Sequence, residues 1–291
     1  MKKLDLSMVT NEVEKMCMAA NYYVDPEVLK KINRAYRETE KSPLAKNVLQ
    51  QILENDAIAE EERVPMCQDT GMAVIFLEIG TEVYIPGDIY EAIQEGVRRG
   101  YTNGYLRKSM VKHPLDRVNT KDNTPAIIHT KMIAGSNQVK IVLAPKGGGS
   151  ENMSLVKMLK PADGIEGVKK LVLELVSHAG GNPCPPITVG VGIGGSFEKA
   201  ALLAKEALLR DINDKSSDPI AASLEEELLE KINKLGIGPL GLGGNTTALA
   251  VKVPAARPFR ALSTRTGATT PRSPASTFAM AAVTTLFFCT P

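Results

Sequence analysis

The chain has 291 residues and a formal net charge of +2. Hydrophobic residues make up 43% and charged residues 23%, the balance of a globular protein, which excludes a disordered chain, a coiled coil and a fibre. Aromatic residues at 4%, with no tryptophan and a near-neutral charge, argue against a nucleic-acid partner. At roughly 150 residues per domain, the length allows one large domain or two modest ones. No apolar run approaches the ~20 residues that cross a bilayer. Asp5, Glu12, Glu14 and Lys15 interrupt any signal-like segment after Lys2 and Lys3. The expectation is a cytoplasmic protein with no membrane contact. Cysteines 17, 67, 184 and 289 are too scattered for a disulfide framework. In a reducing compartment they are buried thiols, metal or cluster ligands, or nucleophiles.

In chain order, residues 1–60 carry apolar residues at helical spacing, with a break at Pro43. Ala73–Ile79 is apolar and β-rich and reads as a strand, with Cys67–Gly71 as the polar turn before it. Residues 87–99 read as a helix. Residues 125–144 read as two strands joined by a Gly-Ser-Asn turn. A glycine-rich loop, KGGGSENMS, follows, and then a helix over 163–179. Next come a Cys-Pro loop at Cys184, a strand, a glycine turn and a long helix from about Ser196. A further helix covers 223–234, and GIGPLGLGGNTTALAVKV is a glycine-rich loop leading into a strand. The final stretch, 254–291, has four arginines but no lysine and no acid, and no clean period. The expected fold class is mixed α/β, with helices packed on sheets.

Four features could carry chemistry. Gly190, Gly192 and Gly195 fit G-x-G-x-x-G between a strand and a helix, with Asp211 and Asp214 near the distance of an acidic ribose partner. The same glycines also arise where a strand and a helix pack closely. Cys67 and Cys184 lie in loops beside Pro or Gly, a setting that suits metal or cluster ligation as well as ordinary buried thiols. The loops Lys146–Asn152 and Gly238–Thr247 bring backbone N–H groups where an anion could approach, or are simply tight turns. Arg107 and Arg117 offer planar forks for a carboxylate, or are surface arginines. His113, His129 and His178 have no metal-ligand spacing and read as structural or surface residues.

Taken in order, VPMCQDTG, YLRKSM, DNTPAIIH, KGGGSENMS, NPCPPITVGVGIGGSFEKAALLAKEALLR and GIGPLGLGGNTTALAVKV resemble one family. It is the α subunit of the class I, iron–sulfur-dependent fumarate hydratases and the related L(+)-tartrate dehydratases. The resemblance covers roughly residues 5–253, so 1–253 is expected to be one hydro-lyase α domain and 254–291 an atypical tail. It displaces the dinucleotide reading. It implies a [4Fe–4S] cluster held by three cysteines, whose open iron acts as a Lewis acid on the substrate hydroxyl. Cys67 and Cys184 match two of those ligands. Gln68 and Asp69 match the polar pair beside the first cysteine, Arg107 the substrate-carboxylate arginine, and Gly148 a backbone substrate contact. The family's general base lies on a second module. The resemblance therefore implies a β subunit, an α2β2 assembly and a small dicarboxylate substrate: fumarate and malate first, L(+)-tartrate second.

The chain departs from the family after ALAVKV. The family continues with a histidine and then a third cysteine, whereas here Phe259 and Pro271 fall near those positions. Cys17 reads as a buried thiol, and Cys289 is the remaining candidate for the third ligand. A frame shift after Val253 would account for the loss of lysine and acids, with natural divergence as the alternative. The chain is then an enzyme component with a labile or absent cluster, or an inactive remnant that binds its partner without turnover.

Overall fold

The computed structural model describes residues 1–254 and the backbone of the strand 279–286. The elements run β1 (Lys2–Lys3), α1 (Leu6–Tyr22), α2 (Pro26–Arg34), α3 (Pro43–Glu62), β2 (Met72–Gly80), β3 (Val83–Tyr84) and α4 (Ile89–Asn103). They continue with β4 (Ile127–Ile133), β5 (Val139–Lys146), α5 (Gly148–Glu151), β6 (Leu155–Leu159), α6 (Gly164–Ala179) and β7 (Ile187–Ile193). The last are α7 (Phe197–Ala207), α8 (Pro219–Asn233), β8 (Ala248–Lys252) and β9 (Ala279–Leu286). A π-helical turn, Ala35–Thr39, extends α2. The mixed α/β class is as expected. The helices and strands read from periodicity are present, but β6 and β9 were not anticipated. β6 is short and follows the glycine loop directly, so its alternation is too brief to register.

The described residues form two compact units. The first holds 1–29 and 50–148. Its sheet has the order β4-β2-β5, with β2 parallel to β4 and antiparallel to β5. The two strands predicted over 125–144 thus do not pair with each other, because β2 lies between them. Alternate residues of β2, namely Ala73, Ile75, Leu77 and Ile79, join Val9, Val13 and Cys17 of α1 and Ile93, Val97 and Tyr101 of α4 in one core. This is the period of two that puts one strand face inside. Helices α1 and α4 approach closely because small residues line the contact. A Cβ at Gly100 would sit 2.6 Å from Cys17 Cβ, and one at Gly96 2.7 Å from Thr10 O. Asp5 and Asp88 cap these two helices through their carboxylates.

The second unit holds 30–49, 149–254 and 279–286. Its sheet has the order β6-β9-β7-β8. β7 and β8 are parallel, while β9 enters antiparallel between β6 and β7. β7 is buried along nearly its whole length, which explains its near-continuous apolar sequence ITVGVGI. Its core gathers Val172 and Val176 of α6, Ile187, Val189 and Val191 of β7, and Leu224, Leu228 and Ile232 of α8. Arg210 Nη1 bonds Glu225 Oε1 at 2.7 Å and the Val253 carbonyl at 3.1 Å, so an ion pair holds the end of β8. Among the described residues no helix is long and apolar enough to cross a membrane.

Among the described residues, a buried carboxyl in the first unit lacks a hydrogen-bond partner. Both carboxyl oxygens of Asp56 in α3 are buried and unpaired, and burial pushes the carboxyl up to about 7 from an ordinary 3.8. The folded chain therefore holds this proton more tightly than the unfolded chain. Its contribution to stability is complete below the ordinary value of 3.8 and is lost as pH rises through about 7. Replacing Asp56 by Asn removes the titration. In thermal melts, Asp56→Asn should gain stability over the wild type on going from pH 5 to pH 8, by a few kcal/mol. Parallel pH profiles of the two proteins would show that the carboxyl is solvated.

Candidate active site

The register of the first sheet builds the site. Antiparallel pairing places Met72, the first residue of β2, opposite Lys146, the last of β5. The loop entering β2 (Met66–Gly71) and the loop leaving β5 (Lys146–Gly148) are thereby brought side by side. Asp69 joins them. Its Oδ2 accepts the Gly148 N–H at 2.7 Å, and its Oδ1 accepts the Gly71 N–H at 3.2 Å. The Asp69 N–H donates to Cys67 Sγ at 3.2 Å. The approach requires missing side chains. Gly71 has φ +68°, and a Cβ there would lie 2.7 Å from the Gly147 nitrogen; a Cβ at Gly147 would lie 3.0 Å from Asp69 Oδ2. The glycine run in KGGGS therefore serves a carboxylate within this chain. The Gly148 N–H, matched by resemblance to a substrate contact, is given to Asp69 here.

A buried layer supports the loop from behind. The Tyr101 hydroxyl lies 3.0 Å from the Thr70 carbonyl oxygen and 3.1 Å from that of Gly71, and donates toward both. Burial holds its phenol well above the usual range. Thr70 Oγ1 donates to the Arg107 carbonyl at 3.0 Å. Asn123 Nδ2 donates to the Gly71 carbonyl at 3.0 Å, while its Oδ1 accepts the N–H groups of Ser109 at 2.7 Å and Met110 at 3.2 Å. Cys67, Asp69, Arg107 and Gly148 are thus tied into one neighbourhood of the first unit. Gln68 adjoins them in the loop, and it and Arg107 are exposed. Sequence reasoning missed Tyr101 and Asn123. Asn123 stood in the quoted DNTP motif, but no spacing rule assigns a partner to an isolated asparagine.

Cys184 belongs to the second unit. Its φ of +46° turns the Cys-Pro loop, and its N–H donates to the Gly181 carbonyl at 2.8 Å. The loop Gly238–Thr247 lies against it: Leu240 N–H donates to the Pro185 carbonyl at 2.7 Å. Glu40 fastens the far side of that loop, accepting from Asn245 N–H and Thr246 Oγ1, both at 2.8 Å. Burial raises the Glu40 carboxyl, but these bonds and those from Lys41 and Ser42 outweigh it and leave the group below its usual value.

The remaining candidates have structural surroundings. Gly190 and Gly192 face α7, where any Cβ would overlap the carbonyl oxygens of Ala204 and Ala200. Asp214 pairs with Arg210 at 2.9 Å and with Lys252 at 3.0 Å. The glycine motif and its trailing acid therefore have packing and ion-pair roles. Arg117 is exposed with φ +59°. His113 Nδ1 accepts the Leu115 N–H at 3.2 Å, His129 lies against Phe76 with ring centroids 5.3 Å apart, and His178 is exposed.

The donor set can be set against the implied [4Fe–4S] cluster. Among the described residues no three His, Cys, Asp or Glu side chains gather as a metal site. Cys17 is fully buried between α1 and α4. Burial, with Glu14 nearby, pushes its thiol up to about 12, the reverse of a ligand's tuning. Cys184 lies outside any disulfide. Cys289 lies outside the described residues, as do the positions matched to the third cysteine and the histidine. The described residues thus offer two matched cysteines where three are needed, and they do not fit a complete cluster.

Comparison with known proteins gives the family of the chain. The family model described as fumarate hydratase (Fumerase) matches residues 10–263. A putative L(+)-tartrate dehydratase subunit alpha of Methanocaldococcus jannaschii is 47% identical over 249 residues, covering 84% of this chain and 87% of that protein. The L(+)-tartrate dehydratase subunit alpha of Escherichia coli is 34% identical over 223 residues, covering 76% and 73%. The protein of the same name from Shigella boydii matches to the same extent. The chain is a hydro-lyase in class, and it belongs to the fumarate hydratase (Fumerase) family.

If Cys17 is a packing residue, its raised pKa should lower its thiolate fraction about a thousandfold. Native protein treated with iodoacetamide at pH 8 should then leave Cys17 unmodified by mass spectrometry, with labelling appearing on unfolding. Rapid native labelling would make it an accessible thiol and reopen it as a ligand.

Proposed function

We propose that this chain is the α subunit of a hydro-lyase acting on a small 2-hydroxy dicarboxylate, together with a β subunit. The observation that supports this most is the Asp69 carboxylate, fixed by two backbone N–H groups and linked through Thr70 to the segment that carries Arg107. Removing water from such a substrate takes a proton from a carbon beside a carboxylate and expels hydroxide from the neighbouring carbon. Arg107 supplies a planar fork for one substrate carboxylate. A carboxylate has about four lone-pair sites, so Asp69 retains acceptor capacity and takes the hydrogen bond of the substrate hydroxyl, with Gln68 beside it. The proton-abstracting base comes from the β subunit. The relatives' printed names, as alpha subunits, support that division.

The family description supports hydration of fumarate to malate, and the names of the relatives support L(+)-tartrate. Both substrates present two carboxylates and an adjacent hydroxyl to the same groups. A second reading, favoured by the thiol count, is a chain that folds and binds its β subunit without turnover.

Asp69→Asn should lower kcat/KM of the αβ complex by at least ~100-fold, read by the ultraviolet absorbance of fumarate for malate and by a coupled keto-acid assay for L(+)-tartrate. Activity of the wild type on one substrate alone decides between the two, and activity on neither, with intact αβ assembly, supports the remnant. Anaerobic reconstitution with iron, sulfide and a thiol reductant should yield less than one stable cluster per αβ complex, read by iron analysis and absorbance near ~400 nm. A stoichiometric cluster that is lost in Cys289→Ala would overturn this and make Cys289 the third ligand.

A further inference from the structure

We propose that Thr70 and Asn123 are positioning residues that hold Arg107 in place relative to Asp69, so that one dicarboxylate engages both. The inference rests on the reading of Asp69 and Arg107 given above, and it assigns roles to two residues that face no substrate themselves.

Asp69 and Arg107 sit on different parts of the first unit. One lies in the loop entering β2 and the other in the segment that leaves α4. No contact between adjacent residues sets their relation. Two buried side chains do. Thr70, 2% exposed, donates its hydroxyl to the backbone carbonyl of Arg107 itself at 3.0 Å. Asn123, 0% exposed, takes the backbone N–H groups of Ser109 and Met110 on one side and gives its amide N–H to the Gly71 carbonyl on the other. The Gly71 N–H in turn holds Asp69 Oδ1. These bonds therefore stitch residues 107–110 to residues 69–71.

Asn123 is itself anchored. It adopts φ +61°, a left-handed conformation that asparagine tolerates better than most residues. Its neighbour Asp122 accepts the Thr124 N–H at 3.0 Å and pairs with Arg98 of α4 at 3.2 Å. The latch is thus referred to a rigid helix, and its bonds lie away from water, where they are stronger. A purely structural role would touch stability alone. A latch between two substrate-binding groups also governs affinity, because a pre-set spacing spares the ordering cost of engaging both carboxylates at once.

The test uses the αβ complex and succinate, a dicarboxylate without the reacting hydroxyl, by calorimetric titration, with KM and kcat measured beside it. Thr70→Val keeps the shape and removes the hydroxyl. It should weaken succinate binding and raise KM by ~5–10-fold, with kcat within ~2-fold, while Thr70→Ser restores both. On an Arg107→Lys background, Thr70→Val should add less than ~2-fold, because it acts through Arg107. Asn123→Asp keeps the left-handed backbone and both acceptor bonds and loses the donor to Gly71. It should shift affinity in the same direction. Wild-type affinity in Thr70→Val, a lowered melting temperature with no change in binding, or a full multiplicative effect on the Arg107→Lys background would each overturn the latch. If wild type binds no succinate, or Arg107→Lys binds it as tightly as wild type, the reading of the site itself falls, and the latch with it.

Discussion

The structure of the site depends on one constraint: a carboxylate held between two loops must find donors for its oxygens. Asp69 finds them in the backbone, at Gly71 and Gly148. Gly147 leaves room beside Asp69 Oδ2, and Gly71, at φ +68°, lets the turn pass close to the Lys146–Gly147 backbone. The loops face each other because β2 and β5 pair antiparallel with Met72 opposite Lys146. That register holds because the inner face of β2 is sealed by α1 and α4, and a slip of one residue would turn Ala73, Ile75, Leu77 and Ile79 away from them. Core packing and site chemistry are therefore successive consequences of one strand pairing.

The second unit solves a different problem with the same residue. Gly190 and Gly192 let α7 lie directly on β7, and Gly181 lets the Leu240 loop approach the turn before Cys184. Glycine here serves close packing, where in the first unit it serves a carboxylate. The G-x-G-x-x-G pattern is a case in which one motif has two physical causes, and only the neighbour across the gap tells them apart. Ala200 and Ala204, the neighbours here, are small and fully buried.

The thiols show how environment, and not residue type, decides chemistry. Cys17 is sealed under Gly100 and cannot ionise readily, while Cys67 and Cys184 sit in half-buried loops, where backbone polarity reaches the sulfur. Loop and helix settings were legible from Pro and Gly neighbours. The count of usable thiols followed from the positions of four cysteines in 291 residues. The α/β class, most helices and the central strands were also legible, because long apolar periodicities survive in any tertiary context.

By itself the amino-acid sequence determined the motifs that carry the family resemblance, the loop placement of Cys67, Asp69 and Cys184, and the surface or structural character of the three histidines. It left open strand order, the purpose of each glycine, and the roles of Tyr101, Thr70 and Asn123. Those belong to the tertiary structure, for a physical reason. Hydrogen bonds between residues 70 and 107 or 71 and 123 join positions 37 and 52 apart in the chain. Periodicity describes only which face of its own element a residue occupies. Which distant backbone that face meets is settled when the sheet selects its register and the core closes around it.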